Sequence, residues 1–505
     1  MRWGRVAALL GVFFGVALAD GQVRLPAFFQ DHMVVQRNAP VHVWGNASPG
    51  EAISVSFRGT TAHAVASDIG RWSIYLPAGT AGGPFEMDVQ GSNRIVLTDI
   101  LVGDVWIASG QSNMEFPMAK GMNRGVNNEK EEIAAANYPR IRLLVIQRGS
   151  SDSPQENLVI WHPWSACTPA RVADFSAVGY FFARDLQQHL HIPLGIIDDT
   201  WGGTPAEAWT SLDALSADAS LMPVFARRAQ LMDGLSTLEL EHNRLENAYQ
   251  KAKAAGKDAP LPPWIPEPTS WKPAGLYNAM IAPLTPFPIK GVIWYQGESN
   301  DSSDAAPLYG RLFRTMIEDW RNKWGEGDFP FLYVQIANFD PGATWPVVRE
   351  GQRSALALRN TAMAVTIDIG DPINIHPKDK QDVGLRLSLA ARALAYGEHI
   401  EYSGPLPLAV TVDGSQLRVQ FDHAKSGLTA KMGTLRGFEL AGADKKYVPA
   451  QARIEGDRVI VSAESIDHPV YVRYGWAANP DCNLYNGAGL PASPFEARGF
   501  DGSPD

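Results

Sequence analysis

Short apolar runs separated by amphipathic helical patterns are what most constrain this chain. Residues 104–109, 195–198, 291–295, 331–335 and 364–368 each have the length and composition of a buried strand. Between them, Phe182, Leu186 and Leu190 recur at four-residue spacing, as do Leu308, Leu312, Met316 and Trp320. A strand that is apolar on both faces must be covered on both faces. Alternating such strands with one-sided helices predicts an α/β fold, a parallel sheet flanked by helices.

The flanks of this region read differently. From about residue 22 to 98, short runs such as Val41-His42-Val43-Trp44 and Trp72-Ser73-Ile74-Tyr75-Leu76 are broken by Gly, Pro and Asn. Period-two alternation with frequent turns predicts an antiparallel sandwich. The same style returns after about residue 402, with Asp413-Gly414 and Gly456-Asp457 as hairpin-type turns. That second β region either stands as its own sandwich or completes the first. A chain of 505 residues has room for about three or four domains. The expected division is 20–100 for the first β region, 101–400 for the parallel-sheet domain and 401–505 for the last.

One stretch leaves the alternation. Leu231, Leu235, Leu238, His242, Leu245 and Tyr249 step by fours and threes, a near-heptad seam that ends at the proline-rich run 260–273. Residues 211–273 are therefore expected to be a helical insertion. Its seam either packs on its own domain or shapes the substrate cleft or a dimer contact.

At the N-terminus, Arg2 and Arg5 precede an apolar run from Val6 to Leu18, too short to span a bilayer, and Ala17-Leu18-Ala19 offers a cleavage site. Residues 1–19 read as a signal peptide, so a secreted or periplasmic protein without a membrane span is expected. The net charge of −10 disfavours a nucleic-acid partner, whose phosphates need many Lys and Arg contacts. Cys167 and Cys482 are the only cysteines. They either pair or remain separate thiols, and no Cys/His spacing resembles a zinc site.

Several segments that follow predicted strands carry reactive side chains. Ligands of open α/β sheets bind at the carboxyl ends of the strands, where distant loops converge. Ser112, in Gly110-Gln111-Ser112-Asn113-Met114-Glu115, sits where a strand turns toward a helix. It lacks the Gly-x-Ser-x-Gly elbow, because Met114 takes the last glycine position. Gly202-Gly203, in Trp201-Gly202-Gly203-Thr204-Pro205-Ala206-Glu207-Ala208-Trp209, lets a backbone N–H approach a ligand. Asn300, in Trp294-Tyr295-Gln296-Gly297-Glu298-Ser299-Asn300, is either an oxyanion donor or a helix N-cap. His376 precedes a helix that Pro377 is placed to open, and histidine is the usual base for a serine nucleophile.

Taken together, Ser112, Gly203, Asn300 and His376 resemble the SGNH hydrolases in residue type and chain order. The surrounding blocks, including Ile375-His376-Pro377-Lys378 and Asn483-Leu484-Tyr485-Asn486, are similar to the sialate O-acetylesterase-like carbohydrate esterases. The resemblance implies an SGNH-type fold and a serine esterase that removes O-acetyl groups from a carbohydrate, either a sialate or a plant polysaccharide such as xylan or xyloglucan. It implies Ser112 as nucleophile, His376 as base, and Gly203 and Asn300 as oxyanion donors, with no metal or organic cofactor. Gln111, Gln296 and Glu298, in the same blocks, are expected against the substrate, and Trp201, Trp294 and Tyr295 are candidate faces for a sugar ring. The usual Asp three residues before the histidine is replaced by Ile373. Asp371 is the chosen substitute, with Asp368, a backbone carbonyl or a Ser–His dyad as the other possibilities. A rival from another class is a carbohydrate-binding protein on the same fold without turnover.

Overall fold

The computed structural model describes residues 22–120, 125–340, 342 and 344–500. The expected signal peptide lies outside the described residues. The central sheet is built from β1 (Arg94–Gly110), β2 (Tyr138–Ile146), β3 (Ile160–Cys167), β4 (Leu194–Thr200), β5 (Gly291–Tyr295), β6 (Phe331–Val334) and β7 (Thr361–Ala364). Their order across the sheet is β7-β6-β5-β1-β4-β2-β3. All neighbours are parallel except β2 and β3. β1 therefore lies in the middle, with β5 on one side and β4 on the other.

Helices α1 (Ala177–Leu190), α2 (Pro223–Ala254), α3 (Ala306–Trp324), α4 (Trp345–Ser354) and α5 (Lys380–Leu394) follow in chain order. Register shows which faces they cover. Side chains alternate across a strand, so Trp106 and Ser109 of β1 point to opposite faces, and Trp294 of β5 shares the face of its register partner Ser109. Phe182 of α1 meets the Trp106 ring edge-on at 5.0 Å. Trp320 of α3 meets Trp294 at 5.8 Å. The two helices thus cover opposite faces, as the apolar strands require.

The expected boundary at residue 100 falls inside β1, a single strand of 17 residues. Its first half pairs with the antiparallel strand Gly82–Gln90 of the N-terminal β region, and its second half with β4 and β5. One continuous hydrogen-bonded strand therefore joins the two regions. The last β region has its own apolar core, including Leu417, Val419, Val459, Val472 and Phe495. Two four-stranded sheets supply it, so this region is a sandwich in its own right and does not complete the first. It is fastened to the central domain by the fully buried Arg349. That guanidinium donates to the Ile336 and Ala337 carbonyls on one side and to those of Ala477 and Ala478 on the other.

Three local expectations shift. The strand expected at 364–368 is observed at Thr361–Ala364. Beyond it the Thr366 hydroxyl bonds the Gln335 carbonyl at 2.6 Å, and Asp368 is held by both terminal nitrogens of Arg386. Pro377 does not open α5. Asp379 caps that helix, its carboxylate accepting the Asp382 N–H. The insertion helix α2 exists and is 32 residues long, but of its residues only Val224 is fully buried. Its seam is half-covered: His242 Nδ1 lies 2.9 Å from the Pro263 carbonyl in the returning proline-rich segment, while Leu238 stays exposed. Cys167 and Cys482 are separate free thiols, whose pKa values burial pushes up to about 12 and about 11.

Candidate active site

Ser112 lies just beyond the end of β1, where the chain leaves the sheet. The Gln111 N–H still bonds the Tyr295 carbonyl of β5, and the Met114 and Glu115 N–H groups both turn back onto the Gln111 carbonyl. This tight turn holds Ser112 at the carboxyl end of the central strand. Among the described residues no acceptor takes the Ser112 N–H. The Ser112 hydroxyl stands 2.8 Å from His376 Nε2, across 264 residues of sequence. A nucleophile and its base are thus within hydrogen-bond reach, the first geometric requirement for general-base catalysis.

The histidine is delivered by a loop that shapes itself. Asp371 Oδ1 accepts the N–H groups of Ile373 and Asn374, and Asn374 Oδ1 accepts the His376 N–H. Short polar side chains that bond the backbone two residues on are turn-formers. The observed side-chain bonds of Asp371 thus go to its own loop, and those of Asp368 to Arg386 and the Tyr485 hydroxyl, whereas Ile373 points outward and is 89% exposed.

The loop after β4 brings the second block against the serine. A Cβ on Gly202 would lie 3.2 Å from Ser112 Cβ and 2.6 Å from Glu115 Oε2. Gly203 has φ +76°, in the left-handed region that glycine enters freely. A Cβ there would also strike Trp264 Cζ2 at 2.5 Å. As with Ser112, no acceptor among the described residues takes the Gly203 N–H.

Asn300 ends a short 3₁₀ turn after β5 and is almost wholly buried, so it is not an N-cap. Its Oδ1 accepts the Ala206 N–H at 2.9 Å and Gln296 Nε2 at 2.7 Å, and its Nδ2 donates to Glu207 Oε2 at 3.0 Å. An amide nitrogen has two hydrogens. One is spent on Glu207, and the other can serve an oxyanion.

The three residues expected against substrate are instead inside the protein. Gln296 is fully buried, its amide nitrogen bonded to the Thr204 carbonyl and to Asn300. Gln111 Oε1 accepts the Gly297 and Ser299 N–H groups, tying the serine turn to the asparagine block. Glu298 Oε1 accepts Asn113 Nδ2 at 2.6 Å, and burial raises its pKa above the ordinary carboxylate value. These side chains set the shape of the site from behind. Trp294 and Tyr295 are likewise core residues, and Trp201 is nearly so. The sugar-face expectation for them therefore fails on burial; Trp264, by contrast, is 62% exposed and lies against Gly203.

Sequence reasoning missed two further contributors. Asn113 joins three segments: its Nδ2 donates to Glu298 and to the Ile375 carbonyl beside the histidine, and its Oδ1 accepts buried Lys380 Nζ at 2.7 Å. Its place directly after Ser112 was the available signal. Trp264 was hidden in a proline-rich run with no periodic pattern.

With this geometry in hand, four similarities to known proteins can be placed. A family model described as "Carbohydrate esterase, sialic acid-specific acetylesterase" matches residues 264–395. The sialate O-acetylesterase of Mus musculus is 30% identical, over 94% of this chain and 94% of its own length. That of Homo sapiens is also 30% identical, over 95% of this chain and 94% of its own. A crystal structure of a carbohydrate acetylesterase from Xanthomonas citri is 40% identical, with TM-score 0.79, covering 94% of this chain and 99% of that one.

Proposed function

The chain belongs to the sialate O-acetylesterase family and is a carboxylic ester hydrolase acting on O-acetyl groups; from that premise we propose that Ser112 and His376 carry the reaction and that the substrate is an acetylated neutral sugar unit. The observation that bears the most weight is the 2.8 Å contact between Ser112 Oγ and His376 Nε2. His376 accepts the hydroxyl proton as Ser112 attacks the acetyl carbonyl. The N–H groups of Ser112 and Gly203 and the second Nδ2 hydrogen of Asn300 receive the negative charge on the tetrahedral oxygen. His376 then protonates the leaving sugar oxygen. Water, deprotonated by the same histidine, cleaves the acetyl-enzyme to acetate and restores the serine. None of these steps calls for a metal or an organic cofactor.

Two features support a neutral sugar. The exposed Trp264 indole beside Gly203 suits the apolar face of a pyranose ring. The Arg148 guanidinium, which a sialate carboxylate would seek, is already paired with Glu115 next to Gly202. Ser112→Ala should fold as the parent does and release no acetate from a chromogenic acetyl ester. Parent-like turnover in that variant rejects Ser112 as nucleophile. For substrate class, acetate release should be faster from acetylated xylan or xyloglucan than from O-acetylated sialic acid. The reverse order restores the sialate reading. Export is also proposed, on the basic and apolar N-terminus. N-terminal sequencing of the exported protein should begin near Asp20, and recovery with Met1 retained rejects it.

A further inference from the structure

The helical insertion meets the oxyanion donors at both ends. Glu207 is 2% exposed, and its two carboxylate oxygens are divided. Oε2 accepts Asn300 Nδ2 at 3.0 Å, while Oε1 accepts Arg227 Nη2 from the first turns of α2. Arg227 in turn lies over the Trp271 ring, 5.6 Å from its centre. Trp271 Nε1 donates to the Gly203 carbonyl at 2.7 Å, and the Ala274 N–H, just after the insertion, bonds the Glu207 carbonyl. Arg227, Glu207 and Trp271 therefore link Asn300 to Gly203 through the insertion.

We propose that Glu207 and Arg227 are positioning residues that lock the Asn300 carboxamide with one N–H facing the acetyl oxygen, so that the insertion is part of the apparatus that stabilises the transition state. The inference rests on the reading of Asn300 as an oxyanion donor. A carboxamide can flip, exchanging its oxygen and nitrogen. With Oδ1 between two donors and Nδ2 against a carboxylate, only one orientation satisfies every partner. A carboxylate is needed at 207 because both neighbours, Asn300 Nδ2 and Arg227 Nη2, are donors. Glutamine offers one oxygen and one amide nitrogen, so one of them would face a donor with a donor. Arg227 has a separate task. Without it, a buried carboxylate loses its charge partner and is drawn to take up a proton, after which it too would face one neighbour as a donor.

The test uses the full-length enzyme and p-nitrophenyl acetate, a small ester that makes no demand on sugar recognition. Glu207→Gln should lower kcat by about 10- to 100-fold, below the ~10²–10³ typical of losing an oxyanion donor outright, with KM within about threefold of the parent. Arg227→Met should follow it in direction, and Arg227→Lys should recover part of the loss. The double variant Glu207→Gln/Asn300→Ala should be no slower than Asn300→Ala alone, because residues acting through one group are non-additive. A loss that multiplies in the double variant, or a parent-like kcat in Glu207→Gln when Asn300→Ala is impaired, overturns the positioning role and leaves the oxyanion reading standing. Parent-like kcat in Asn300→Ala overturns both. If Glu207→Gln fails to fold, the cycle is run with Arg227→Met and Asn300→Ala, with the same criteria.

Discussion

A serine hydroxyl becomes a nucleophile only when a base stands within hydrogen-bond reach, and that base must itself be held. Here the holding is done partly by backbone turns. Asp371 accepts two N–H groups of the loop, and Asn374 accepts that of His376. An asparagine at 371 keeps an oxygen acceptor for both amides. Asp371→Asn should therefore leave kcat within about threefold of the parent. Asp371→Ala should lower it by about fivefold, the equivalent of the ~1 kcal/mol commonly lost with a capping side chain. Were Asp371 the carboxylate that orients the imidazole, the asparagine variant would instead lose about 10⁴ in kcat. Steady-state kinetics on the two variants separates these roles.

Among the elements, the insertion changes meaning most between sequence and structure. Its near-heptad seam suggests ordinary helix packing, yet the seam is only half-covered by the returning proline-rich segment. What the insertion does contribute lies at its two ends. Arg227 reaches Glu207 near the start of α2, and Trp264 and Trp271 reach Gly203 from the proline-rich return. Replacing residues 211–273 by a short linker should thus lower turnover of small esters as well as polymeric ones, by about tenfold or more for the small ones, on the scale of losing part of one oxyanion contact. A variant with altered polymer preference but parent-like turnover of p-nitrophenyl acetate would confine the insertion to substrate selection.

For the whole molecule, the cost of a buried carboxylate appears as a pH dependence of stability. Asp198 of β4 is held by the Thr200 hydroxyl and the Ser176 N–H, and burial raises its pKa from 3.8 to about 6. A folded-state pKa above the unfolded value means the folded protein binds the proton more tightly. The resulting stabilisation is complete below pH 3.8 and is lost as pH rises through about 6. The full effect is on the order of 3 kcal/mol. Asp198→Asn carries no such proton. Its stability relative to the parent should therefore improve as pH is raised from about 4 to about 7. Thermal melts of both proteins across that range check the sign, and a constant difference between them excludes Asp198 as a source of pH dependence.

Periodicity and local chemistry were enough to establish the alternation of strand and helix, the flanking β regions and the existence of a long inserted helix and, together with the family resemblance, to single out Ser112, Gly203, Asn300 and His376 as candidates. Such features depend on spacing along the chain, which a sequence displays directly. The single strand running through residue 100 was not visible, because a two-sided apolar strand and a one-sided one can follow each other without a break. Gln111, Gln296 and Glu298 read as substrate contacts only because they neighbour reactive residues. Their burial depends on which way each side chain turns once the loops converge, and it made them the framework behind the site. Trp264 and Arg227 had no local pattern to mark them, and Glu207 stood in a marked block without a visible role. Their roles arise from hydrogen bonds and contacts between segments far apart in sequence, such as Arg227 to Glu207 and Glu207 to Asn300. Only the folded arrangement decides which donor meets which acceptor there, since burial requires each polar group to find its partner within the protein.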